Sequence, residues 1–140
     1  MRQTTGILEI PTRRPGLVPI TAEVSDWLTS QSMGEGLLTL LCQHSSASLT
    51  IQENADPDVR LDLQDAIATL APHGGAERYR HYMEGPDDMA AHIRTVLSGV
   101  HLSIPVQSGR MMLGTWQGLY LWEHRDHPHC RKIALHLTGK

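Results

Sequence analysis

Three stretches of the chain gather side chains able to move protons, hold metals or bind phosphate. The first is His44-Ser45-Ser46-Ala47-Ser48, running into Gln52-Glu53-Asn54-Ala55-Asp56-Pro57-Asp58. It follows an apolar run, and a buried strand opening into an imidazole, three hydroxyls and several acids aims polar groups into a pocket. A solvated loop that caps the next helix explains the same residues. For Asp56 the cap is the better reading, because Pro57 follows it at the first helical position. His44 reads equally well either way, and folding requires neither Glu53 nor Asn54 in a special role.

The second stretch is His81-Tyr82-Met83-Glu84-Gly85-Pro86-Asp87-Asp88, followed by His92. Two imidazoles with acids between them raise the prospect of a metal, whose ligands must be gathered from different elements. The spacing matches no local zinc signature. A hydrogen-bonded core histidine is the plainer reading of His92, which sits between Met89 and Val96 at the border of an apolar stripe. The third stretch is Gly114-Thr115-Trp116-Gln117-Gly118-Leu119-Tyr120-Leu121-Trp122-Glu123-His124-Arg125. On one strand, Trp116 and Trp122 would share a face, and the adjacent Gln117 and Glu123 add polar groups to the strand, a mixture suited to a ligand pocket, a wet subunit interface or plain sheet packing. Beyond it, His124, His127, His129 and Arg131 read as a mobile basic loop, useful for phosphate and otherwise solvated.

The elements that must position these groups follow from periodicity. Residues 3–10 favour a strand ended by Pro11 and Pro15. A helix over about residues 21–32 carries Val24, Trp27 and Leu28 on one face. Residues 37–43 form a nearly continuous apolar run, expected as a strand buried on both faces. A second helix starts at the Asp56 cap and ends at Pro72-His73-Gly74-Gly75, with Val59, Leu63, Ala66, Ile67 and Leu70 as its stripe. A third runs from near Pro86 to Gly99, with Met89, Ile93, Val96 and Leu97 expected inside. Alternation then predicts strands over residues 100–106, 111–123 and 132–138. The order of elements gives an α+β domain, residues 1–140, with a mainly antiparallel sheet.

Composition narrows the setting. The 140 residues are one domain's worth, 40% hydrophobic and 19% charged, a balance that excludes a disordered chain. Twelve bases against fifteen acids leave −3, with no basic block, so no nucleic-acid partner is expected. No charged-then-apolar leader opens the chain and no run approaches the ~18 apolar residues of a membrane span. Two cysteines cannot build a disulfide scaffold. A cytoplasmic protein with no membrane partner is expected. Nine histidines exceed the six aromatic residues, and Phe is absent.

These blocks together resemble the YjbQ family, also labelled secondary thiamine-phosphate synthase. The resemblance rests on His44-Ser45-Ser46-Ala47-Ser48 with Glu53-Asn54-Ala55-Asp56-Pro57-Asp58-Val59, on Glu84-Gly85 with His92, and on Leu113-Gly114-Thr115-Trp116-Gln117-Gly118 with Glu123 and Arg131. It covers essentially the whole chain. Ser45 stands where Thr is common, and Pro86-Asp87-Asp88-Met89 replaces a commoner Asn-containing stretch. The resemblance implies a sandwich-like α+β fold with about three helices, assembled as a homotrimer with polar clusters near subunit boundaries. It also implies a low-level ability to join a hydroxymethylpyrimidine diphosphate to a thiazole phosphate, releasing pyrophosphate.

Such a reaction needs a divalent cation or cationic donors to take up charge on the leaving group. Glu53, Asp56, Asp58, Glu84, Asp87 and Asp88 supply carboxylates for Mg²⁺, with substrate phosphate completing its octahedron. His44, Ser46, Ser48 and Arg131 are phosphate donors, and Trp116 offers a face for a heteroaromatic ring. The expected catalytic residues are therefore His44, Glu53, Asp56, Glu84 and His92. The expected binders of a small phosphorylated molecule are Ser46, Ser48, Asn54, Trp116, Gln117 and Arg131. A rival ligand set, His44, His81 and His92, suits Zn²⁺ or another transition metal and favours hydrolysis or acid–base chemistry. A non-catalytic trimer binding a phosphorylated ligand is the third reading.

Overall fold

A computed structural model describes residues 1–140. Its elements in chain order are β1 (Arg2–Thr12), β2 (Gly16–Pro19), α1 (Thr21–Ser30), β3 (Gly36–Cys42), β4 (Ala47–Glu53) and α2 (Pro57–Leu70). Then come α3 (Asp88–Ser98), β5 (His101–Gln107), β6 (Arg110–Met111), β7 (Gln117–Glu123) and β8 (His129–Gly139). The strands form two sheets, ordered β1-β8-β3-β5-β6 and β2-β7-β4, with every pairing antiparallel. The α+β class and the three helices stand as read from the sequence. No helix is long and apolar enough to cross a membrane.

The sheets pack face to face over one core. Leu38, Leu40, Ile104, Ile133, Leu135 and Leu137 of the larger sheet meet Leu49, Leu119 and Leu121 of the smaller one, and Val24 and Leu28 of α1 close one end. α2 lies over the outer side of the smaller sheet, where Trp122 Nε1 donates to Gln64 Oε1 at 2.8 Å. α3 packs against β4. The larger sheet's other face stays bare: Ile7, Leu37 and Leu41 are exposed there, Ile7 opposite Ala134 and Ala134 opposite Leu41.

Local chemistry explains most boundaries. Asp56 caps α2 by accepting from the Asp58 amide at 2.9 Å, with Pro57 at the first helical position. The other end of α2 leaves the Ala71 carbonyl free, and Arg94 Nε and Nη2 donate to it at 3.1 and 2.9 Å. A cation at a helix C-terminus is stabilised by the dipole, which gives Arg94 its reason to be buried.

Four expectations are corrected. β3 alternates in burial and is not covered on both faces; the doubly covered strand is β7, buried from Gly118 to Glu123 between the sheets and α2. β4 and β2 replace what read as loops, because each pairs along its length with the central β7, which takes up backbone groups on one side of each strand. The span expected as one strand over 111–123 is broken, which places Trp116 in a loop and separates it from Trp122. The stripe of α3 is inverted: Asp88, Ala90, Ala91, Arg94 and Thr95 are buried, while Val96 and Leu97 are exposed. Small residues let α3 approach β4 closely, and its two buried charges have partners, so the larger apolar side chains are left outside.

Candidate metal centre

Asp88 and His92, four apart on α3, lie on one face of the helix, and His81 reaches them from the preceding loop. His81 Nε2 is 2.6 Å and His92 Nε2 3.2 Å from Asp88 Oδ2. One ligand atom from each of the three lies within 4.8 Å of the other two. Tetrahedral bonds of about 2.0–2.1 Å place neighbouring ligand atoms about 3.3 Å apart, so small side-chain shifts fit these groups to one ion. His92 Nδ1 lies 2.8 Å from the Ser45 carbonyl. A carbonyl only accepts, so Nδ1 carries a proton, and Nε2 is the ring nitrogen that faces Asp88. A backbone carbonyl behind an imidazole is the usual outer support of a metal-ligating histidine. The side chains of His81 and His92 are 48% and 32% exposed, against 8% for Asp88, so the cluster is anchored inside and open outside.

The anchoring comes from the end of β7. Arg125 Nη1 donates to Asp88 Oδ1 at 2.7 Å, Nε to Asp87 Oδ2 at 2.8 Å, and Nη2 to the Glu84 carbonyl at 3.3 Å. Gly85, at φ +109°, makes the turn that presents these acceptors in a conformation other residues rarely adopt. Burial by itself would raise the Asp88 carboxyl; the hydrogen bond from His81, the Arg125 charge and His92 outweigh it, and the net shift is downward. Burial also works against Asp87, and the Asp126 amide and Arg125 reverse it. Both are carboxylates at neutral pH.

A second buried network adjoins the first. Glu123, fully buried, accepts from Thr12 Oγ1 at 2.5 Å, from Arg131 Nε at 2.8 Å and from Arg131 Nη2. Its Oε2 also takes the amides of His124 and Arg125 at 3.0 and 3.1 Å. Arg131 Nη2 continues to the carbonyl and hydroxyl of Ser46, beside the Ser45 carbonyl that holds His92. One polar chain therefore runs from Arg131 through Glu123 and Arg125 to Asp88.

The model of the family described as UPF0047 protein YjbQ-like matches residues 6–140. The chain belongs to the YjbQ family. It is 46% identical over 139 residues to UPF0047 protein sll1880 of Synechocystis sp., covering 99% of this chain and 94% of that one. It is 48% identical over 122 residues to UPF0047 protein YjbQ of Salmonella typhimurium, covering 86% and 87%. Among solved structures, the conserved hypothetical protein TT1486 of Thermus thermophilus is similar at TM-score 0.82 and 39% identity, over 93% of this chain and 97% of that one. The hypothetical protein APE1520 of Aeropyrum pernix reaches TM-score 0.88 at 30% identity, over 98% and 99%.

This YjbQ-family chain brings together only part of the expected site. His81 and His92 meet, but the third member of the group is Asp88, not His44. His44 is turned away, its Nε2 accepting from the Lys132 amide at 2.8 Å, and burial followed by the Arg131 charge lowers its pKa. Ser46 is engaged by Arg131, its carbonyl and hydroxyl both accepting from Nη2. Ser48 is sealed in the core with its hydroxyl 2.8 Å from His124 Nε2, so it cannot reach a ligand. Arg131 belongs to β8, buried and paired with Glu123, instead of to a mobile basic loop; the charge expected to meet phosphate is already matched. His124 is likewise fully buried. The Glu84 side chain is exposed, and only its carbonyl touches Arg125.

The remaining residues lie at the far end of β4, about 20 Å away at ~3.3 Å per residue. There Glu53 pairs in register with Gln117, as Ala47 does with Glu123 at the near end. Glu53 Oε2 accepts from the amides of Ala55 and Asp56, and Asp56 is the α2 cap. Asn54 Nδ2 donates to the Thr115 and Gln117 carbonyls, both at 3.3 Å, and Gln117 Oε1 accepts from the Gly114 amide. These contacts organise the loop that carries exposed Trp116. In the sequence Asp88 stands out only as one of several Mg²⁺ carboxylates; its four-residue spacing from His92 on one helix is the signal that pairs them. Nothing local pointed to Arg125, which is 37 residues from Asp88 and meets it only through the fold.

Proposed function

We propose that the protein is a metal-dependent enzyme acting on a small phosphorylated molecule, with His81, Asp88 and His92 holding a divalent transition metal. The carrying observation is the meeting of these three groups on one open face, with the second nitrogen of His92 bound to the Ser45 carbonyl. Two imidazoles and one carboxylate oxygen suit a transition ion better than Mg²⁺, which favours oxygen donors. Such an ion supplies a Lewis acid and lowers the pKa of its water. Asp88 and His92 set the geometry from a rigid helix, and His81, the most exposed of the three, borders the side from which substrate enters. Hydrolysis of a phosphate ester is the reaction this set supports best.

Joining a hydroxymethylpyrimidine diphosphate to a thiazole phosphate is the second reading, carried by the family blocks in the sequence and served by the same ion at the departing pyrophosphate. The acids Glu53 and Asp56 are committed to local turns, which weakens an all-carboxylate Mg²⁺ site.

The test is metal content of protein purified without chelator or His tag, compared with H92A, alongside phosphate release from phosphomonoesters and pyrophosphate release from the paired substrates. About one transition metal per chain, lost in H92A with little change in melting temperature, is expected. Absence of metal from both proteins would overturn the reading and leave a ligand-binding module.

The same proposal includes a homotrimer, supported by the bare face of the larger sheet with Ile7, Leu37 and Leu41 exposed. Sizing chromatography with light scattering should give about three chains per particle; a monomer across the micromolar range would refute it.

A further inference from the structure

We infer that Arg125 is the positioning residue of the proposed metal centre: it occupies Asp88 Oδ1 and so makes Asp88 a one-oxygen ligand. The inference rests on the metal reading above and adds to it the selectivity of the site. A free carboxylate can offer both oxygens to a cation. Here Oδ1 is held by Arg125 Nη1 at 2.7 Å, and only Oδ2 faces the imidazoles. The neighbouring carboxylate of Asp87 is also withdrawn, since its Oδ2 takes both Arg125 Nε and the Asp126 amide. The three-residue group therefore presents two nitrogens and a single carboxylate oxygen. Ca²⁺ seeks six to eight oxygens and Mg²⁺ an octahedron of them, so this arrangement selects against both.

The guanidinium itself has little freedom. Its three nitrogens reach acceptors on residues 84, 87 and 88, and its backbone amide is fixed by buried Glu123. A planar fork is required to span the two carboxylates, and a lysine ammonium cannot reproduce it although it keeps the charge. A purely structural Arg125 would lower melting on removal and leave the affinity of the folded protein for metal unchanged.

The experiment titrates metal-free wild type, R125K and R125Q with Co²⁺, read by visible absorption, and repeats each titration in excess Mg²⁺. Thermal melts establish the folded fraction. In wild type, tight Co²⁺ binding unaffected by Mg²⁺ is expected. Removing an outer support of this kind costs about 10- to 100-fold in metal affinity; R125K should fall at the lower end and R125Q at the upper, with altered absorption bands and sensitivity to Mg²⁺. Unchanged affinity and spectrum in folded R125K or R125Q would overturn the role of Arg125 while leaving the metal centre standing. Failure of wild type to bind Co²⁺ would remove the centre and this role with it. Should R125Q fail to fold, R125K decides.

Discussion

Glu123→Ala is expected to destabilise the protein by about 3–5 kcal/mol, the usual cost of leaving a buried charge without its partner. Glu123 is fully buried, and burial pushes its carboxyl upward; hydrogen bonds from Arg131 and Thr12 outweigh that and hold it below the ordinary range. It is therefore ionised at neutral pH, and it is the only carboxylate paired with Arg131, itself 3% exposed. The alanine variant strands that guanidinium and frees the amides of His124 and Arg125 as well. Urea denaturation measures the loss, and a value below about 1 kcal/mol would show that water reaches Arg131. Removing both charges in E123L/R131M should recover much of the stability, because the uncompensated charge, and not the missing attraction, dominates the single variant.

Acid should weaken the protein well above the range where carboxylates titrate. His124 is fully buried, its Nε2 meets the Ser48 hydroxyl, and its Nδ1 has no partner. Burial, with added repulsion from the charges of Arg94 and Arg131, pushes its pKa down to about 3. Unfolded, the imidazole takes a proton below about pH 6.5. The folded state cannot take it until near pH 3, so stability is full above 6.5 and drains away as the pH falls. At about 1.4 kcal/mol per pH unit, roughly 2 kcal/mol should be lost by pH 5. His44, also lowered, acts in the same direction. Asp87, Asp88 and Glu123 are lowered carboxylates whose contributions fade only through and below pH 4. Denaturant melts at pH 7, 6 and 5 should therefore show a slope in wild type that H124Q largely removes. An equal slope in H124Q would assign the acid sensitivity elsewhere.

His124 and Arg131 also mark where sequence reasoning stops. Both sit in a stretch rich in histidine and interrupted by Pro128, which locally has the character of a mobile basic loop. Glu123, 8 residues from Arg131 in sequence, and Thr12, 111 residues from Glu123, make the difference between solvated and buried. Likewise α3 reads as amphipathic with Met89, Ile93, Val96 and Leu97 inside. The fold turns it so that Asp88 and Arg94 go inward, because Arg125 and the Ala71 carbonyl wait for them there.

What the sequence determined by itself was whatever depends on neighbours a few residues apart. The cap and proline at Asp56 and Pro57 place the start of α2, alternation over residues 100–106 and 132–138 gives β5 and most of β8, and their order yields an α+β chain with antiparallel pairing. The family, too, was legible, because its blocks lie in order along the chain. Tertiary structure decided the site. It joined His81 to Asp88 and His92, turned His44 toward β8, and sent Glu53, Asn54, Asp56 and Gln117 to the opposite end of β4. Spacing along a chain reports which face of one helix or strand a residue occupies. A buried charge or a metal ligand is settled by the partner that meets it, and here those partners come from other strands and loops.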